Sequence, residues 1–148
     1  MHRLGPADVP LLRALNALFA KAFSDPQHYA SAPPSDAYLQ EMLGKEHLVA
    51  LAALRDGVLL GGLAAYELDK LEQARREVYI YDLAVAAAHR RQEVATALTR
   101  HLCALAAQRG AYVAYVQADR DDEPAMALYT GLGTREDVLH LDIAVKAR

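Results

Sequence analysis

The run Glu77-Val78-Tyr79-Ile80-Tyr81-Asp82-Leu83-Ala84-Val85 continues through Ala86-Ala87-Ala88-His89-Arg90-Arg91-Gln92 into Glu93-Val94-Ala95-Thr96, and its reading decides the fold. The first part alternates and is rich in Val, Ile and Tyr, which is a strand pattern. From about Arg91 to Arg109 the period changes to that of a helix. Val94, Leu98, Leu102 and Leu105 form its apolar stripe, and Gly110 stands where a helix-ending glycine belongs. A strand that feeds a tight basic loop and then a helix start can hold a phosphorylated ligand. The first-turn N–H groups lack partners within the helix, and the helix dipole adds positive potential there. Arg90 and Arg91 add cationic donors. The plainer alternative is a solvated basic helix start.

Working outward, Leu48–Leu54 and Val58–Leu68 are apolar, β-compatible runs joined by Arg55-Asp56-Gly57, a hairpin signal. Before them, a helix is expected after Asp8, with Leu11, Leu15, Leu18, Phe19, Ala22 and Phe23 on one face. A second is expected from about Ser35 to Gly44. The Pro-containing stretch Ser24–Pro34 between them reads as a loop inside one domain. After the long helix come a strand over Tyr112–Ala118, a short helix opened by Pro124 and closed by Gly131 and Gly133, and a last strand over Arg135–Ile143. The order predicts an α/β layer fold around a largely antiparallel sheet.

The chain has 148 residues, of which 53% are hydrophobic. That fits one domain over residues 1–148 and excludes global disorder. Its longest unbroken apolar runs fall far short of the roughly 18 residues of a membrane span. No basic patch precedes an apolar stretch at the N-terminus, so no secretion signal is expected. One cysteine, Cys103, cannot form an internal disulfide, which suits a reducing cytoplasm. A net charge of −3 argues against nucleic acid as the main partner and would suit a cationic ligand if the acids cluster.

The run Leu83-Ala84-Val85 followed by Arg90-x-x-x-x-Ala95 resembles motif A of the GNAT N-acetyltransferases, Gln/Arg-x-x-Gly-x-Gly/Ala. Ala125-x-x-x-Tyr129-x-x-x-Gly133 resembles motif B of the same superfamily. Tyr79–Val85, His89–Gln92, Tyr115–Asp119, Ala127–Thr130 and Leu141–Ile143 look like aminoglycoside 3-N-acetyltransferases, a subgroup tied to antibiotic resistance. The resemblance implies one domain whose fourth and fifth strands splay to admit acetyl-CoA. It implies direct acetyl transfer to an amine without a metal, and a homodimer. Leu83, Ala84 and Val85 would pair with the pantetheine arm, and Arg90, Arg91, Gln92, Glu93, Val94, Ala95 and Thr96 would hold the pyrophosphate. Glu93 departs from the family's glycine. A glycine lets backbone approach phosphate closely, whereas a carboxylate at about 6 Å from one phosphate charge would repel it by roughly 0.7–3 kcal/mol, depending on the effective dielectric.

The resemblance gives Tyr129 the role of proton donor to the departing thiolate; packing in an amphipathic helix is the alternative. Asp82 is the general base candidate. Plain alternation puts Val78, Ile80, Asp82 and Ala84 on one strand face, so a carboxylate interrupts an apolar surface, and partial desolvation would raise its pKa. Binding of substrate charge or a structural role is the alternative. Asp119, Asp122, Glu123 and Asp142 are acids for a ligand with several ammonium groups, although Asp122 or Glu123 also suits a helix cap. Asp25 and Tyr29 could close over the ligand, and Tyr81 could contact it. Tyr66, Tyr79, Tyr112 and Tyr115 need no ligand to explain them in strands. Cys103 reads as a small core side chain, and six histidines show no metal-ligand spacing. A peptide or polyamine acceptor, or a non-catalytic acyl-CoA-binding module, remains open on sequence alone.

Overall fold

The computed structural model describes residues 1–147. The chain divides into two compact units, Met1–Gln117 and Ala118–Arg148. In the first, a short strand β1 (His2–Arg3) precedes helices α1 (Val9–Ala22), α2 (Pro26–Ala30) and α3 (Asp36–Leu43). The hairpin β2 (Leu48–Arg55) and β3 (Val58–Asp69) follows, then β4 (Arg76–Val85), helix α4 (Val94–Gln108) and β5 (Ala111–Val116). The five strands lie in the order β1-β2-β3-β4-β5. Neighbours are antiparallel except β4 and β5, which are parallel and joined through α4.

The hairpin forms as its sequence requires. Asp56 and Gly57 both take positive φ (51° and 77°), the pair of left-handed residues that a two-residue turn of this hand needs. The stretch Ser24–Pro34 is not all loop. Asp25 caps α2 by accepting a hydrogen bond from the His28 N–H at 3.1 Å, and Pro26 sits in the first turn, where no donor is missed. The long helix starts at Val94 rather than near Arg91, because Arg91 and Glu93 take positive φ (62° and 60°), outside helical geometry.

Helices cover both faces of the sheet. Val94, Leu98, Leu102 and Ala106 of α4 pack on Val49, Leu51, Leu63, Ala65, Val78 and Ile80. On the opposite face Leu15 and Phe19 of α1 pack on Ala84. Gly62 permits that approach, since a Cβ there would collide with the Leu15 side chain and stand 2.5 Å from the Leu51 carbonyl. The C-terminal end of α4 is tied to the sheet by a partly buried ion pair, Arg109 Nε to Glu67 Oε1 at 2.6 Å. Cys103 is exposed on α4 and not in the core.

The second unit holds α5 (Glu123–Leu132), with Asp122 as its N-cap, accepting from the Ala125 N–H at 3.1 Å. The strand expected over Arg135–Ile143 does not form: residues 134–147 are neither helix nor strand. Alternating apolar residues give a segment two faces, but a strand also needs a ladder partner, and none is recorded for it among the described residues.

Candidate active site

The parallel ladder between β4 and β5 runs from Arg76 to Ile80 on one side and from Ala111 to Val116 on the other. Beyond Ile80, β4 continues to Val85 paired only with β3. The edge of Tyr81–Val85 that faces away from β3 therefore has backbone groups with no β5 partner among the described residues, the opening expected of splayed strands. Leu83 and Val85 send their side chains into the core under α4, and Ala84 is buried on the α1 face. These three residues offer a ligand chiefly their main chain, since Ala84 is buried and Leu83 and Val85 are partly buried.

β4 then leads through a 3-10 turn, Ala87–His89, to the start of α4. Arg90, Arg91, Gln92 and Glu93 are exposed, Val94 is buried, and Ala95 and Thr96 are partly buried. Glu93 is the N-cap, and no side chain caps the helix. The first N–H bonded back into the chain there is that of Ala97, to the Glu93 carbonyl at 3.0 Å. A helix start with exposed arginines and no cap of its own suits an anion, so the residues present fit a CoA pyrophosphate. The left-handed φ at Glu93 also explains why a glycine is favoured at this position: it is a conformational requirement as well as one of space. Because the Glu93 side chain is exposed, its repulsion of a phosphate falls at the solvent-screened end of the range, about 0.7 kcal/mol at about 6 Å.

Asp82 lies three residues before the end of β4, on a face other than the expected one. Ala64 pairs with Asp82 and Ala65 with Ile80, so Tyr81 is an extra residue, a β-bulge. The bulge breaks the alternation. Val78 and Ile80 belong to the core under α4, as does Leu83, whereas Ala84 and Ala64 belong to the α1 face. Asp82 shares that second face and does not interrupt an apolar row. Its Oδ1 accepts a hydrogen bond from the Tyr29 hydroxyl at 3.0 Å. Tyr29 is set in place by α2 and by the rings of Phe19 and Phe23, with centroids 6.3 and 6.2 Å away.

The electrostatics follow from this placement. Burial pushes the pKa of Asp82 above the ordinary carboxylate value, while the Tyr29 hydrogen bond and the nearby His28 act against the rise. Burial and the Asp82 charge push the Tyr29 phenol upward, so it stays protonated and keeps donating. A half-buried carboxylate with a raised pKa, held by one phenol, can accept a proton from an incoming ammonium.

Around Asp82 the sheet brings together tyrosines from three strands. Tyr66 of β3 is the register partner of Tyr79 of β4, and Tyr79 is that of Tyr115 of β5. The Tyr79 and Tyr115 rings stack at 4.8 Å and 7°, while Tyr81 meets Tyr79 and Tyr66 edge-on at 5.6 and 5.7 Å. The Tyr79–Tyr81 spacing hinted at a shared face; the cross-strand partners needed the register. Elsewhere a groove of about 550 Å³ opens between α1 and the Ser24–Pro34 connection, with Tyr29, Arg13 and Lys21 in its lining. Its basic residues are the wrong sign for a cationic acceptor.

In the second unit Tyr129 is half-buried on α5, and burial, with the charge of Asp122, pushes its phenol up to about 12. It carries its proton at neutral pH. Asp119, Asp122, Glu123 and Asp142 are all exposed. Asp122 is engaged as a helix cap, and Asp142 Oδ1 lies 2.8 Å from His140 Nε2. Asp25 likewise spends one carboxylate oxygen on its cap. Among the described residues no cluster of His, Cys, Asp and Glu could hold a metal ion, and no helix is long and apolar enough to cross a membrane.

Comparison with known proteins agrees with this geometry. The chain is 54% identical to an aminoglycoside acetyltransferase from an uncultured soil metagenomic sample, with a TM-score of 0.95, covering 98% of this chain and 97% of that one. A second aminoglycoside acetyltransferase from an uncultured soil sample, solved with sisomicin, is 27% identical over 98% and 95% of the two chains, with a TM-score of 0.90. A ribosomal-protein-alanine N-acetyltransferase from Brucella melitensis is 25% identical over 98% and 97%, with a TM-score of 0.76. No curated protein matches the sequence. The pattern of the acetyltransferase (GNAT) family matches residues 12–134, a span that contains the unpaired end of β4, the uncapped start of α4 and Asp82. With that match and these neighbours, the chain belongs to the GNAT family and is an acetyl-CoA-dependent N-acetyltransferase.

Proposed function

We propose that the protein acetylates the 3-amino group of aminoglycosides and so confers resistance to them, acting as a homodimeric, single-domain cytoplasmic enzyme. The observation that carries this reading is Asp82: a half-buried carboxylate of raised pKa, bonded to a phenol and set in a tyrosine-lined face, suited to receive an ammonium group. The high identity to an aminoglycoside acetyltransferase over nearly the whole of both chains supports the substrate class.

Acetyl-CoA, when bound, supplies an activated acetyl thioester. The main chain of Leu83, Ala84 and Val85 would hold its pantetheine arm. The N–H groups of Val94, Ala95 and Thr96, with the loop Arg90-Arg91-Gln92-Glu93, would hold its pyrophosphate. Asp82, directly or through a water, takes the proton of the acceptor's ammonium on a carboxylate oxygen. Tyr129 carries a proton at Oη through neutral pH, available to the departing thiolate. Asp119, Asp122, Glu123 and Asp142, with Asp25, Tyr29 and Tyr81, receive the acceptor's remaining ammonium groups and hydroxyls. Most of the rate would come from holding amine and thioester together in reactive geometry.

A peptide amine is the second reading, favoured by the likeness to a ribosomal-protein-alanine N-acetyltransferase. Release of free thiol from acetyl-CoA, measured with gentamicin, spermidine and an alanine-initiated peptide in parallel, separates the readings. Efficient release with gentamicin alone supports the proposal. Release with the peptide and none with gentamicin refutes it. NMR of the purified product then reads the position of the acetyl group.

A further inference from the structure

The tyrosine face is more than strands require. Tyr66, Tyr81 and Tyr115 are 39%, 56% and 37% exposed, and with Tyr79 they form one continuous aromatic surface across three strands. Contiguous exposed aromatic surface marks a binding site more often than chance exposure does. Among the described residues no arginine or lysine is recorded over the rings of Tyr66, Tyr79, Tyr81 or Tyr115. The one Arg recorded over an aromatic ring among the described residues, Arg75 at 3.8 Å, lies on Tyr112 and not on these rings. Asp82 shares the face by the register of β3 and β4; burial, with the Asp82 charge as a smaller cause, raises the phenols of Tyr66 and Tyr79. Ring faces beside one half-buried anion, with no cation recorded on them among the described residues, match an ammonium-bearing ligand that also presents C–H surface.

We propose that Tyr66, Tyr79 and Tyr115, bridged by Tyr81, form a cation–π platform that takes one ammonium-bearing sugar ring of the acceptor and turns its amine toward Asp82. This rests on the aminoglycoside reading above and adds the residues that would discriminate a charged sugar from a neutral one. Cation–π attraction acts at contact and is screened by salt less than attraction between exposed charges. The platform would therefore keep selecting for ammonium where outlying acids are screened.

The chain has eight tyrosines and no tryptophan, so the tyrosine signal is free of tryptophan, and the part of it lost in the Tyr115 and Tyr66 variants belongs to this face. The test titrates sisomicin and, separately, sucrose as a neutral sugar into the full chain while the tyrosine difference spectrum is followed. It is repeated for Tyr115→Leu and Tyr115→Phe, with Tyr66→Leu as a second variant should loss of the Tyr79–Tyr115 stack unfold the first. Sisomicin should perturb the tyrosines and sucrose should not. Tyr115→Leu, or Tyr66→Leu, should weaken sisomicin binding about tenfold and raise KM in proportion, with kcat within about twofold. Tyr115→Phe should restore binding. Unchanged sisomicin affinity in the folded Leu variants, or an equal perturbation by sucrose, overturns the platform. Because binding is read without turnover, the two readings fail separately. Binding through these tyrosines without acetyl transfer would refute the proposed reaction alone, and transfer with an unchanged KM in the Leu variants would refute the platform alone.

Discussion

Replacing Tyr29 with Phe removes one hydroxyl and keeps the ring that packs on Phe19 and Phe23. Its effect on Asp82 can be worked out from the site. The hydroxyl donates to Asp82 Oδ1 at 3.0 Å, longer than the roughly 2.5–2.7 Å of strong hydrogen bonds to carboxylates. Asp82 is also only half-buried. Both point to the low end for a hydrogen bond to a charged group, about 1.5 kcal/mol. That bond favours the ionised carboxylate, so its loss raises an already raised pKa by about one further unit. The acid limb of kcat/KM should move up by that unit. Well below the limb the variant should run about tenfold slower than the parent; well above it, where Asp82 is ionised in both, the rates should converge. The effect on stability has the same origin. A carboxyl raised above its unfolded value stabilises the fold below the unfolded pKa, and that contribution is lost as pH rises through the folded pKa. Tyr29→Phe should therefore cost about 1.5 kcal/mol of stability above the limb and almost nothing at acid pH. Initial rates and thermal melts across pH 4.5–9 make the measurement. An acid limb that stays in place or moves down would refute Asp82 as the group Tyr29 controls.

Substitutions at four other positions test separate parts of the site. Glu93→Gly should stabilise the fold by about 1 kcal/mol by relieving the left-handed φ, and should tighten acetyl-CoA binding about threefold. Glu93→Ala should give the threefold without the stability, and calorimetry of both variants would show whether charge and conformation separate in this way. Tyr129→Phe should lower kcat about a hundredfold and leave acetyl-CoA affinity within a few-fold, because only a proton is lost; unchanged turnover would move the acid role elsewhere. Asp119→Asn and Asp142→Asn should each raise the KM for gentamicin a few-fold, with a smaller effect in added salt, and a KM insensitive to both changes would remove these exposed acids from acceptor binding.

Much of the fold is legible in the sequence wherever a local rule settles the matter. The Asp56-Gly57 turn and the stripe of α4 are such cases, because each follows from backbone preference or helical periodicity alone. Other features needed the structure. The bulge at Tyr81 moved Asp82 to the other side of the sheet from Val78 and Ile80, and no alternation rule reveals an inserted residue. Helix α2 was hidden in a Pro-containing stretch, although Asp25 before Pro26 is a recognisable helix start. The strand expected over Arg135–Ile143 has no ladder partner among the described residues, and a segment's own residues do not name one. In the site, Asp82, Tyr29 and Tyr81 could be singled out one by one. The Tyr29–Asp82 hydrogen bond joins residues far apart in the chain, and the tyrosine face depends on the register of three strands. The departure at Glu93 was visible, but its conformational cause required the φ angle.

The central claim is that Asp82 moves the acceptor's proton rather than merely attracting its charge. Asp82→Asn keeps the shape of the side chain and removes its basicity, so pH–rate profiles of parent and variant with gentamicin, from about pH 6 to 9.5 with kcat and KM separated, test it most directly. The account predicts that kcat of the variant falls about a hundredfold at neutral pH and recovers as pH rises, because the amine then arrives already deprotonated. A variant with parental kcat throughout and only a raised KM would contradict it and leave Asp82 as a charge clamp.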